Sequence, residues 1–332
     1  MNEYNNIDIK LIAGQKMMVG FDGREFNSDL EFLMSELKIG GFVLFAKNIK
    51  SPEQLKTLIK NILNFAKSNN LIKPFIAIDQ EGGEVARLKK PFKVFQGNPS
   101  IKNITAVQKF AKDQASQLAD LKINMNFAPV IDVIPDNFTS IMEKRAFKGN
   151  ASKVGALGYE FIKTMQESNI MAVAKHFPGI GRTQVDSHFN LPVVQRNIND
   201  LFSEELIPFR QAIKANVAGI MLSHILYPAL DSKWQASLSP EIVKKILREK
   251  MSYKGLIITD DLDMKAVQHD IKISARQILL SDVDIGLICH KGVDIELMFN
   301  EFISLIKKHN KLLETARISL NRIINMKNNF IS

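Results

Sequence analysis

A single cysteine, Cys289, leaves no partner for an intramolecular disulfide, so the fold must rest on its core, and a reducing compartment suits it. No segment approaches the roughly 18 consecutive apolar residues that span a bilayer. The stretch from Met1 to Lys16 is polar and lacks the apolar centre of a secretory signal. A cytoplasmic location is therefore expected, with no membrane partner. Neither G-x-x-x-x-G-K-[ST] nor a complete G-x-G-x-x-G occurs, which removes the common phosphate loops. With one cysteine and no H-E-x-x-H, no recognised zinc spacing exists, and neither a metal nor a cofactor is expected. Arginine-rich tails and aromatic–basic modules are missing too. The formal net charge of +9 lies on lysines scattered along helical segments. It implies a solvated surface and no nucleic-acid partner, while leaving room for a mild preference for anionic substrates.

What the chain does have is 45 % hydrophobic residues over 332 positions, enough for one large α/β domain or two ordinary ones. No composition break, linker or low-complexity segment marks a boundary, so residues 1–332 are taken as a single domain. Short apolar runs recur at Met17–Phe21, Gly41–Phe45, Phe75–Ile78, Asn124–Ala128, Met171–Ala174, Ala218–Leu222, Leu256–Thr259 and Asp284–Ile288. Their near-continuous hydrophobicity predicts strands buried on both faces, as in a parallel sheet. Between them Leu55, Leu58, Ile59, Ile62, Leu63 and Ala66 form one stripe, which predicts a helix over Pro52–Ser68 capped by Ser51. Thr105–Leu118, Val154–Ser168, Leu201–Ala215, Pro240–Met251 and Leu305–Asn325 show similar patterns. Strand and helix alternating about eight times predict a (β/α)8 TIM-type barrel, with an open doubly wound sheet as the competitor.

Polar residues gather where the predicted strands end: Asp22, Lys47 and Asn48, Asp79, Asp132, Lys175 and His176, His224, Asp260 and His290. Strand C-termini build the active site of such a barrel, and polar loops alone explain one or two such residues more easily than nearly all of them. Three segments carry candidate chemistry. In Leu256–Met264 the strand delivers Asp260, followed by Asp261 and Asp263. Asp260 can be a nucleophile, a metal ligand or a helix cap. In Ala174–Asn190, Pro178, Gly179 and Gly181 forbid a regular helix and allow a mobile loop. Asp186 and His188 follow, two apart. An Asp beside a His can orient the ring and raise its basicity for proton transfer, although metal sites and surface loops share the pattern. In Ile78–Leu88, Asp79 and Arg87 flank a Gly-Gly turn. Together they can grip sugar hydroxyls or form a structural salt bridge. Asp79, Glu81 and Glu84 would repel phosphate there.

These segments, with Gly40-Gly-Phe-Val-Leu-Phe45, Asn126-Phe-Ala-Pro-Val-Ile-Asp-Val133, Lys144-Arg-Ala-Phe147 and Met221-Leu-Ser-His224, resemble glycoside hydrolase family 3. The likeness is to its single-domain β-N-acetylhexosaminidases of the NagZ type and runs from near residue 17 to near residue 290. It implies a (β/α)8 barrel and a retaining two-step reaction. Asp260 would be the nucleophile and His188 the acid/base, polarised by Asp186. Sugar recognition would fall to Asp79, Arg87, Arg145, Lys175 and His176. The implied substrate is a peptidoglycan fragment in which N-acetylglucosamine is β-1,4-linked to an anhydro-muramyl sugar, with or without peptide, cleaved by a monomeric enzyme in wall recycling. Two positions depart from the usual pattern: Ile180 stands where most members have a second histidine, and Gln80 replaces a histidine after Asp79. Ile180 bears on the loop and the aglycone subsite and leaves the Asp186/His188 pair intact. A family 3 β-glucosidase and a barrel that binds wall fragments without cleaving them are the alternatives.

Overall fold

Parallel pairing buries both faces of a strand only if something covers each face, and here the sheet covers one of them by closing on itself. The computed structural model describes residues 8–184, 191–290 and 292–331. Helix α1 (Ile9–Gln15) leads into strand β1 (Met17–Val19), α2 (Ser28–Ser35), β2 (Gly41–Leu44), α3 (Pro52–Ser68) and β3 (Phe75–Ile78). A small hairpin, β4 (Gln80–Gly82) and β5 (Val85–Ala86), precedes α4 (Ile104–Asp120), β6 (Met125–Asn126), α5 (Ala151–Glu167) and β7 (Met171–Phe177). The chain continues through α6 (Ile198–Ser203), α7 (Leu206–Lys214), β8 (Gly219–Leu222), a π-helix over Glu241–Lys250 and β9 (Leu256–Asp261). It then passes through α8 (Ile271–Leu280), β10 (Ile285–Ile288), α9 (Gly292–Lys308) and α10 (Asn310–Phe330). Eight parallel strands close in the order β1-β2-β3-β6-β7-β8-β9-β10, with β10 returning to β1. The expected (β/α)8 barrel is present.

Alternation along each strand separates two cores. Met18, Val43, Phe75, Met125, Met171, Val173, Ile258 and Leu287 fill the lumen. Their neighbours Val19, Phe42, Ala172 and Ile257 face the helices and join the larger outer core. Ser51 caps α3 by accepting from the Gln54 N–H, and Asn103, Asn150 and Asp270 cap α4, α5 and α8 in the same way. The lower mouth is closed by α10, whose Ile323 belongs to the lumen cluster, with Met326 and Phe330 packed against it.

Three boundaries differ from the sequence expectation. Strand β7 runs on to Phe177, so Lys175 and His176 stand within it and not beyond it. The helix expected over Leu201–Ala215 breaks at Glu204 and Glu205 into α6 and α7. The stretch Leu305–Asn325 straddles two helices that meet at His309. Apolar periodicity carries across each junction because both segments bury the same side, so it cannot report a bend.

Candidate active site

The upper ends of β3, β7 and β9 and the loop before α5 surround a cavity of about 630 Å³ lined by Asp79, Arg87, Arg145, Lys175, His176, Ile180 and Asp260. Six residues expected at the site thus come together. Asp186 and His188 lie outside the described residues.

The cavity floor is a chain of ion pairs. Lys175 Nζ donates to Asp79 Oδ1 at 2.7 Å and lies 2.8 Å from Glu81 Oε1. Arg87 Nη2 donates to Asp79 Oδ2 at 3.1 Å. Arg145 grips Glu81 with two bonds, 3.0 Å from Nε and 2.7 Å from Nη2, in the bidentate geometry that orients a guanidinium most firmly. Its Nη2 also approaches His176 Nε2 at 3.4 Å. His176 Nδ1 lies 2.9 Å from Asp132 Oδ2. Because a carboxylate accepts, Nδ1 carries the proton and Nε2 turns toward Arg145. Asp132 Oδ1 also accepts from the backbone N–H of His176 at 3.2 Å and of Ile180 at 2.8 Å.

Burial alone would raise the Asp79 and Glu81 carboxyls, but Lys175 with Arg87 and Lys175 with Arg145, respectively, outweigh it and hold both below the ordinary carboxylate range. Burial would likewise lower the Lys175 ammonium, yet Asp79 and Glu81 raise it. Arg145 and Lys175 therefore stay charged, facing Asp79 and Glu81. Balanced charges of this kind hold rigid donors and acceptors in a buried place where a lone ion would be costly.

Asp260, one residue before the end of β9, has no such partner: among the described residues it forms no ion pair, and its Oδ1 accepts the Asp261 N–H at 2.9 Å. A second cavity of about 310 Å³ shares Asp79, Arg87 and Asp260 and adds Phe45, Met264 and His290. Arg87 lies over the Phe45 ring at 5.3 Å, and His290 packs on the same ring at 5.0 Å. Below Asp260, His224 Nε2 lies 2.9 Å from the Asp261 carbonyl, so it must donate, and Nδ1 lies 2.7 Å from Ser237 Oγ. Burial pushes the His224 pKa down, which suits a neutral ring bracing the strand end.

The three acids after Thr259 separate by role. Asp261 accepts from the Asp263 and Cys289 N–H groups and faces His290 Nδ1 at 3.0 Å, and Asp263 accepts from the His290 N–H. These two tie β9 to β10, while Asp260 faces the cavity. The helix cap is Asp270, further on. Other strand-end residues do not join the site: Lys47 pairs with Asp22 at 2.7 Å on the rim, and buried Asn48 donates to the Phe21 and Gly23 carbonyls. His269 packs against Trp234 with the ring centres 4.7 Å apart and the planes tilted by 53°. Two glycines are dictated by geometry. Gly82 turns the hairpin at φ 89°, and a Cβ on Gly181 would stand 1.9 Å from the Val133 carbonyl oxygen.

Sequence reasoning left Glu81 and Asp132 without a site role. Glu81 sits two residues after Asp79 in Asp79-Gln-Glu81 and is almost wholly buried, which a sequence does not display. Asp132 carried one signal, its place at the end of the fourth predicted strand.

The glycosyl hydrolase family 3 N-terminal domain matches residues 8–331. The chain belongs to that family. Beta-hexosaminidase A of Pseudoalteromonas piscicida is 35 % identical over 291 residues, covering 81 % of this chain and 47 % of that protein. The chain thus spans about half the length of that relative. The beta-hexosaminidase of Idiomarina loihiensis is 30 % identical over 323 residues, covering 93 % of this chain and 96 % of its own. A family 3 β-N-acetylglucosaminidase structure from Paenibacillus sp. aligns with a TM-score of 0.93 at 31 % identity, covering 98 % of this chain and 63 % of that one.

Proposed function

We propose that this family 3 glycoside hydrolase is an exo-acting β-N-acetylglucosaminidase that removes terminal N-acetylglucosamine from peptidoglycan fragments inside the cell. Family membership and the beta-hexosaminidase relatives support the enzyme class. The observation that carries the reading is the cavity, in which Asp260, a carboxylate with no ion pair among the described residues, shares the lining with a rigid array of Asp79, Arg87, Arg145, Lys175 and His176. Charged donors and acceptors fixed in this way suit one hydroxyl-rich ring held at its non-reducing end.

In the first step an Asp260 carboxylate oxygen attacks the anomeric carbon. The bond to the aglycone oxygen breaks, and that oxygen takes a proton from His188. In the second step water attacks the glycosyl–Asp260 ester, His188 accepts the water proton, and the sugar leaves with its β configuration retained. Asp186 orients His188. An imidazole suits the role near neutral pH because its unperturbed pKa of about 6.5 needs little tuning.

The test is release of 4-nitrophenol from the N-acetyl-β-glucosaminide and, side by side, from the β-glucoside. The wild type is expected to cleave the first far faster, and Asp260→Ala is expected to lose activity by about four orders of magnitude or more. A folded Asp260→Ala enzyme with half the wild-type rate would remove Asp260 as nucleophile. Preference for the glucoside would replace the substrate.

A further inference from the structure

Two arginines flank the stretch that holds Asp186 and His188, and both reach the same two carboxylates. Arg182, on the outgoing side, donates from Nη2 to Glu204 Oε2 at 2.6 Å and from Nε to Glu205 Oε1 at 2.8 Å. Arg196, on the returning side, donates from Nη2 to that same Glu204 Oε2 at 2.7 Å, and its Nε lies 3.4 Å from that same Glu205 Oε1. Arg196 Nη1 is also held by Asp200 at 3.1 Å.

Glu204 and Glu205 occupy the break between α6 and α7, the bend that apolar periodicity did not report. Glu205 is 2 % exposed, and its side chain lies under Gly179, where an added Cβ would come within 3.0 Å of Glu205 Cβ. The hydroxyl of buried Tyr227 donates to the Gly179 carbonyl at 2.7 Å. On the far side, the Val194 N–H donates to the Leu226 carbonyl at 3.0 Å.

We propose that Glu204 and Glu205 are positioning residues for catalysis, a shared carboxylate clamp that fixes the spacing and direction of both flanks of the Asp186/His188 stretch through Arg182 and Arg196. This rests on His188 as acid/base. A simple surface salt bridge would need neither the burial of Glu205 nor two arginines from opposite flanks on the same oxygens. The closest comparison inside the molecule is Asp282 with Asp284, which likewise gathers Arg248 and Arg322, but far below the site. Proton transfer is sensitive to placement, and an error near 1 Å can cost about a hundredfold.

The experiment compares Glu205→Gln, Arg182→Lys and His188→Ala with wild type on two aryl N-acetyl-β-glucosaminides. One has 2,4-dinitrophenol as leaving group, which departs without a proton, and the other has phenol, which needs one. Thermal melting and circular dichroism confirm that each variant is folded. For Glu205→Gln, kcat/KM on the phenyl substrate is expected to fall at least about tenfold while the dinitrophenyl substrate stays within about twofold, the pattern of impaired general acid catalysis. Arg182→Lys, which keeps the charge and loses the fork, is expected to follow with a smaller split. A folded Glu205→Gln enzyme that loses activity equally on both substrates, or on neither, while His188→Ala shows the split, overturns the clamp alone. If His188→Ala also lacks the split, the acid/base reading falls and the clamp with it.

Discussion

Next to Asp260, the proposed nucleophile, Asp261 is a residue whose charge state the fold perturbs. Burial raises its pKa most, Asp263 adds to it, and the value reaches about 6. The unfolded chain releases this proton near pH 4, whereas the folded chain keeps it until about pH 6. Between those values the native state binds more protons, so this group's contribution to stability falls as pH rises and is fully lost above about pH 6. In Asp261→Asn the side-chain carbonyl still accepts from Asp263 and Cys289, and the amide faces His290 Nδ1. Denaturation at pH 4 and pH 7.5 is expected to show the variant gaining about 1–3 kcal/mol on wild type between the two. An unchanged difference would mean that Asp261 is already ionised at pH 4. At this scale the sequence was informative about residues delivered by strands: Asp79, Lys175, His176 and Asp260 were legible from their places at strand ends. Arg87 and Arg145 came from segment context and family likeness. Glu81 and Asp132 were not legible as site residues, because what gives them a role is the partner each meets across the barrel, over 64 and 44 positions of chain.

Among the elements, α10 shows how a helix that looks merely amphipathic can close a barrel. Its Lys327 is 3 % exposed and donates to Gln15 Oε1 at 2.7 Å and the Gly40 carbonyl at 2.8 Å, with its ammonium 4.7 Å from the Phe75 ring centre. Burial lowers its pKa to about 7. Below pH 7 the lysine is charged in both states and the folded protein bears the full desolvation cost. From about 7 to 10.5 the unfolded chain binds more protons, so the contribution of this group to stability rises with pH. Lys327→Met removes the titration. Its stability relative to wild type is therefore expected to be highest at pH 6 and to decline by on the order of 3 kcal/mol by pH 10. A pH-independent difference would show that Lys327 keeps its proton throughout. The apolar spacing of Leu305–Asn325 marked helix here but missed both the junction at His309 and the plug, since a buried lysine reads as a surface residue in any sequence pattern. Helix α3, which only covers the barrel, was legible to the residue because cap, stripe and end coincide, whereas α4 and α5 begin one and three residues before the expected starts.

At the scale of the whole molecule, the two ends of the described chain are tied to each other. Strand β1 pairs with β10 as well as β2, so the barrel closes only when the last strand is in place. Lys16, beside β1, donates to the Val283 and Asp284 carbonyls and to Ser319 on α10. Arg322 on α10 pairs with Asp282 and Asp284, and Asp284 in turn accepts from Arg248 and the Ile257 N–H. Removing α10 would take Arg322 from buried Asp284 and half-buried Asp282, take Ser319 from buried Lys16, and open the lumen that Ile323 helps to close. Breaking buried ion pairs costs about 3–5 kcal/mol each, while a domain's whole stability is about 5–15 kcal/mol. A chain ending at His309 is thus expected to lack a cooperative melting transition and to be inactive, although every residue lining the cavity around Asp260 is retained. The full chain is expected to unfold in one transition by both calorimetry and near-ultraviolet circular dichroism. A truncated protein that melts cooperatively and cleaves the aryl N-acetylglucosaminide would show instead that the eight strands close without the plug, and that the charged cluster at the lower mouth adds stability to a barrel already formed.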